Sequence, residues 1–141
     1  MTAEEEHAED RRAARSRGEI AAEISNGIVK LFSEYYGRGP VKAKTFLIDN
    51  YSLTVLEDTL TTAESTLVKA DRKGLVRDFR IAFQTEMAGR FKGVVELATA
   101  RKVLTYQSQI AFDPDVCFEF FVLEDAPELA GSDDEQAGDP S

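Results

Sequence analysis

The sequence predicts an α+β domain in which a four-stranded antiparallel sheet, built from two hairpins, packs against helices in the order α-ββ-α-α-ββ. Three observations predict it. Apolar residues recur at three- and four-residue steps from Ile20 to Tyr35 and again from Leu75 to Ala98, the period of a helix with one buried face. Two β-rich runs, "VKAKTFLID" and "SLTVLED", flank Asp49-Asn50, and two more, "KVLTYQSQIAF" and "VCFEFFVLE", flank Asp113-Pro114-Asp115. Strands that come in adjacent pairs, with helices between the pairs, favour helices gathered on one face of an antiparallel sheet.

Each element has its own signals. Ser16 and Glu19 stand at capping-box spacing just ahead of Ile20. Ile20, Ile24, Ile28, Leu31, Phe32 and Tyr35 then form one stripe on a helix of about five turns. Gly37 follows as the left-handed cap, Pro40 prevents continuation, and Arg38 suits the negative end of the helix dipole. The first hairpin alternates Lys42 and Lys44 with apolar neighbours. Thr61 and Glu64 repeat the capping box and open a short helix through Leu67 and Val68, with "ADRKG" as the joint after it. The long helix carries Leu75, Phe79, Phe83 and Met87 at steps of four. Beyond Gly89 the stripe restarts as Phe91, Val94, Val95 and Ala98, turned by roughly 80°. That predicts a bend or a change of packing partner at Gly89. In the last strand Phe118 and Phe120 share one face, Cys117 and Phe121 the other. Aromatic residues on both faces call for a second layer or a second subunit over the hairpin, so a homodimer is expected.

Composition bounds the rest. The 141 residues fit one domain, and 43% apolar residues can bury a core. No run of about 18 apolar residues is present, so no membrane span is expected. One cysteine, Cys117, makes no internal disulfide and suits a reducing cytoplasm. The net charge of -9 makes nucleic acid a poor partner. Residues 1–18 read as a disordered charged leader, 19–125 as the folded domain, and 126–141, acidic and without a base, as a disordered tail.

Chemistry separates the candidate sites. "GRGP" has two glycines around an arginine, but it follows a helix C-terminus, where the orphan groups are carbonyls, so a phosphate cradle has the wrong polarity. Asp113, Asp115 and Glu124 mimic three positions of a calcium loop, yet Phe118 stands where that loop needs glycine. Cys117 reads as a small buried side chain and His7 lies in the leader, so neither a Cys–His nucleophile nor a zinc ligand set is expected. Glu86 and Arg90 read as an exposed i,i+4 pair. Arg101 and Lys102 suit the end of the long helix. No catalytic residue, metal or cofactor is expected. Arg38, Lys42, Lys44, Arg77 and Arg80 remain as candidate anion or partner contacts, and Gly37, Gly39, Pro40, Asp113, Pro114 and Asp115 as structural positions.

A helix ending in "YYGRGPVKAKTFLIDNYSLTVLEDTLTTAE", then "VRDFRIAFQTEM", then "ARKVLTYQSQIAFDPDVCFEFFVLE" resembles the MpsC family over about residues 19–124. The most specific marks are Gly37-Arg38-Gly39-Pro40, the Arg80/Phe83 spacing and the strand–"DPD"–strand ending. "ELATARKV" and "YQSQIAF" depart from the family pattern. The family is a small bacterial domain named for a sodium-translocating, membrane-potential-generating system. The resemblance implies a non-catalytic cytoplasmic accessory protein, peripheral to the inner face of the membrane, whose partner is a membrane subunit that moves cations or supports inorganic-carbon uptake. It carries over no catalytic residue. The competing expectation is a small-ligand or anion sensor independent of membranes, using the five cations above.

Overall fold

A computed structural model describes residues 2–5 and 15–126. The expected disorder of the leader around His7 and of the acidic tail from 127 onward concerns positions outside the described residues. Helix α1 (Arg17–Leu31) is capped by Ser16, with Glu19 completing the capping box. Its last turn widens into a π-helical segment, Phe32–Tyr36, which Gly37 ends in the left-handed region at φ 88°. Strands β1 (Lys42–Ile48) and β2 (Tyr51–Glu57) form the first hairpin. The short helix α2 (Thr62–Lys69) has the Thr61–Glu64 capping box, and α3 (Lys73–Thr99) is the long helix. Strands β3 (Val103–Phe112) and β4 (Asp115–Leu123) close the chain's second hairpin.

The four strands form one antiparallel sheet in the order β1-β2-β4-β3, so the hairpins lie side by side with β2 and β4 at the centre. This is the α+β architecture and element order the sequence predicts. Helices α1 and α3 cross the same face of the sheet and pack against each other. Their contact is close at Gly27, where a Cβ would stand 2.6 Å from a Val94 methyl. Ile24, Ile28 and Phe32 of α1, Phe91 and Val95 of α3, and Leu56 and Phe121 of the sheet are fully buried. Each such side chain contributes about 1.5–3 kcal/mol relative to exposure.

Two stripes differ from the helical reading of the sequence. Tyr35 is 46% exposed, and Tyr36 packs inward against Phe32 and Phe83 instead. The π turn carries one extra residue and rotates the face by that amount. In the first half of α3 the buried positions are Val76, Arg80 and Gln84, whereas Leu75 and Phe79 are 47% and 57% exposed. An apolar stripe does not mark the buried face when the neighbours across from it are polar. The helix runs through Gly89 without interruption. The shift in its apolar pattern is a change of partner, from the aromatic end of α1 at Phe83 to the sheet at Phe91.

Among the described residues no helix lies over the other face of the sheet. In register across it run Phe46, Leu53 and Phe120, with Ile48, Tyr51 and Val122 in the next row and Lys44, Val55 and Phe118 in the row before. Phe46, Ile48, Tyr51 and Phe118 are 40%, 60%, 45% and 37% exposed. Cys117 and Phe121 face the helices, as the alternation along β4 predicts.

Candidate functional site

The segment between β2 and α2, Asp58–Thr61, is held from three directions. Arg38, from the Gly-Arg-Gly-Pro turn, donates to the Leu60 carbonyl and pairs with Asp58 at 3.1 Å. Arg80, from α3, donates to the Thr59 carbonyl at 3.0 Å and to its hydroxyl at 3.1 Å. The Asp115 carboxylate, at the start of β4, accepts from the backbone N–H groups of Thr59 and Leu60, each at 3.1 Å. Each of these contacts involves a charged side chain, which makes the bonds stronger than neutral ones. Gly39 lets the turn pass close to the π segment: a Cβ there would stand 2.5 Å from the Ser33 hydroxyl, which would have to rotate away.

Arg80 is the centre of the cluster and is fully buried. Its Nε and Nη2 donate to the two Glu64 oxygens at 2.9 and 3.0 Å, a bidentate pair, and Nε also donates to the Tyr36 hydroxyl. The guanidinium carbon lies 4.4 Å from the centre of the Tyr36 ring. Glu64 thus serves twice: it receives the Thr61 N–H in the capping box and neutralises Arg80. Arg80 Nη1 and, one turn on, Gln84 Nε2 are buried donors with no partner among the described residues.

A row of polar side chains continues across the sheet beneath the helices. Thr45, Thr54, Glu119 and Ser108 lie opposite one another on the four strands. The Ser25, Thr45 and Thr54 hydroxyls are linked at 2.8 and 2.7 Å. Glu119 is fully buried and accepts from the Tyr106 hydroxyl, from Ser108 at 2.8 Å and from the Cys117 thiol at 3.0 Å. Burial raises the Glu119 carboxyl above the ordinary carboxylate value and outweighs the three donated bonds and the Arg80 charge, which act the other way. Burial, followed by the nearby Glu119, likewise raises the Tyr106 hydroxyl and the Cys117 thiol.

Beside this cluster, α2 and α3 enclose a groove of about 390 Å³ lined by the apolar Tyr36, Ala63, Leu67, Leu75, Val76 and Phe79 together with Thr61 and Glu64. Lys69, Arg72, Lys73 and Arg77 are exposed on the turn and helix flanking it, against the acids Asp71 and Asp78.

The family model described as Na+-translocating membrane potential-generating system (MpsC) matches residues 16–125. The chain belongs to the MpsC family. No curated protein and no solved structure matches it. The marks by which the sequence resembles MpsC are far apart in the chain, but the structure brings three of them together: Arg38, Arg80 and Asp115 all grip the Asp58–Thr61 connector.

The five candidate cations of this MpsC chain occupy separate places. Arg38 and Arg80 share the connector, and Arg38 is committed to Asp58 and Leu60 rather than to the end of its own helix. Lys42 and Lys44 lie on edge strand β1, on the open face, with the Lys44 ammonium 5.1 Å from the Phe46 ring centre. Arg77 stacks on Phe112 at 4.8 Å. Arg90 stacks on Tyr35 at 4.7 Å instead of pairing with Glu86. Arg101 ties the end of α3 to the carbonyl of Glu124 and the Asn50 side chain. Asp113 and Pro114 form the tip of the second hairpin.

Tyr36, Thr59, Glu64 and Glu119 escape sequence reasoning. Only Glu119 left a signal: it falls on the inward phase of β4, between Cys117 and Phe121. The capping box accounts for Glu64 locally and so hides its second role.

Proposed function

We propose that this chain is a non-catalytic accessory component of a membrane cation-translocating system, working from the cytoplasmic side by docking on an integral-membrane subunit. Membership of MpsC supports association with such a system. Among the described residues no helix is long and apolar enough to cross a membrane, so on this reading the chain acts through a partner that does. The observation that carries the docking is the α2–α3 groove. Leu75 and Phe79, which line it, are large, apolar and half exposed. In a chain of net charge -9, the four cations against two acids at this corner make a local positive patch. The matching occupant is an amphipathic segment of the membrane subunit that places apolar anchors in the groove and Asp or Glu on its rim.

The test is crosslinked affinity capture of the full chain from native membranes, read by peptide mass spectrometry. The expected result is recovery of a multi-span, ion-translocating subunit, lost when Leu75 and Phe79 are both replaced by Asp. Both side chains are exposed, so circular dichroism of that variant should be unchanged. Capture of the chain alone, or capture that survives the double substitution, overturns the proposal.

A further inference from the structure

We propose that α3 is joined to the sheet beneath it by one buried water molecule, held between Arg80 Nη1, Gln84 Nε2 and Glu119 Oε1. The inference is independent of the α2–α3 groove and of what docks there. Its first support is a pair of unspent donors. Arg80 and Gln84 stand one turn apart on the inward face of α3, 0% and 7% exposed. Arg80 spends Nε and Nη2 on Tyr36, Glu64 and Thr59. Its Nη1 has no partner among the described residues, and neither has Gln84 Nε2. Side chains at i and i+4 of a helix are neighbours, about 5–6 Å apart at Cβ, so one small acceptor can take a bond from both. Buried donors in native proteins are met by protein or by ordered water.

The second support is an acceptor with room to spare. Arg80 holds Thr59, whose N–H ends on Asp115 at the start of β4. Phe91 packs on Tyr106, which stacks on Phe121 further along that strand. Gln84 lies between Arg80 and Phe91 on the helix, as Cys117 and Glu119 lie between Asp115 and Phe121 on the strand. Glu119 Oε2 accepts from Ser108 and Cys117, whereas Oε1 accepts from Tyr106 alone. Each carboxylate oxygen has two lone pairs, so Oε1 can take one more bond. The Arg80 charge acts on both the Glu119 carboxyl and the Cys117 thiol, yet no direct bond joins them. Polar groups that face each other beyond hydrogen-bond length are the ordinary setting for a bridging water.

The third support is charge, which selects water over an ion. Glu64 pairs with Arg80, Asp115 meets it through Thr59, and Glu119 feels its charge. An anion would add one more negative charge to three carboxyls, and a cation would face the guanidinium and two N–H donors. A neutral water accepts from Arg80 and Gln84 and donates to Glu119, which gives it the three bonds usual for a buried water. The polar groups then form one chain from the Asp58–Thr61 connector through Arg80 to Glu119 and Tyr106. Hydrogen bonds fix α3 to the sheet at the point where its buried face turns polar, between Val76 and Met87.

The test is oxygen-17 magnetic relaxation dispersion on the full chain, which detects water held inside a fold and is blind to exchanging hydroxyl protons. Gln84→Met keeps the length of the side chain and removes the donor. The unaltered chain should show long-lived internal water, and the variant a signal smaller by one molecule. Thermal unfolding gives an independent reading. With water on Gln84, the substitution breaks a bond that is made, and Tm should fall by about 2–6 °C. With the amide unpaired, methionine relieves a buried polar group, and Tm should rise. No long-lived water in the unaltered chain, a signal that the substitution leaves unchanged, or a raised Tm each overturns the proposal.

Discussion

Arg80 is the residue on which the interior depends most. It neutralises Glu64, holds Thr59 and lies on the Tyr36 ring, all out of contact with solvent. Arg80→Ala would leave a buried carboxylate without its counter-charge, a loss of about 3–5 kcal/mol. Arg80→Lys should recover little of it, because one ammonium cannot reproduce the bidentate fork. Urea unfolding of the two variants measures both expectations. Glu119 makes a prediction of opposite sense. Its carboxyl takes up protons more readily folded than unfolded, so its contribution favours folding at low pH and is lost as pH rises through the raised folded value. Unfolding midpoints measured from pH 4.5 upward should therefore fall more steeply for the wild type than for Glu119→Gln. Cys117, buried and with its thiol held protonated, should resist thiol reagents until the chain unfolds.

At the scale of elements, the caps and turns were legible in the sequence because they are local. Ser16–Glu19 and Thr61–Glu64 sit where their spacing places them, and Gly37 takes the left-handed conformation that its position after the α1 stripe implies. Gly37→Ala should cost about 1 kcal/mol, since its φ of 88° is a conformation that a Cβ opposes. What the sequence hid is long-range. The face of α3 that turns inward bears Arg80 and Gln84, whose partners lie on α2 and in the β2–α2 connector, so an apolar stripe pointed to Leu75 and Phe79 instead. Phe32→Ala, which empties the junction between Tyr36, Phe83 and Phe91, should destabilise by about 3–5 kcal/mol. Phe79→Ala, more than half exposed, should cost under about 1 kcal/mol in the same denaturation assay. The same blindness applied to the site: Arg38, Arg80 and Asp115 were each visible, but nothing in their spacing said that they meet.

The whole molecule presents two faces of different character. The helical side bears the α2–α3 groove, and the sheet side bears apolar residues on β1, β2 and β4 beside a polar β3. Both edge strands discourage open-ended strand pairing, β1 by its lysines and β3 by the register shift between Val103 and Thr105. Growth by edge addition is disfavoured.

Arg38, Arg80 and Asp115 also set the timescale on which the connector opens. Thr59 and Leu60 lie outside any helix or strand, and such positions ordinarily release their amide protons to solvent within moments. Here both N–H groups end on the Asp115 carboxylate beneath a buried guanidinium. Their deuterium uptake should be as slow as that of the β2–β4 ladder, and Asp115→Asn should speed uptake at these two amides before it reaches the strands on either side.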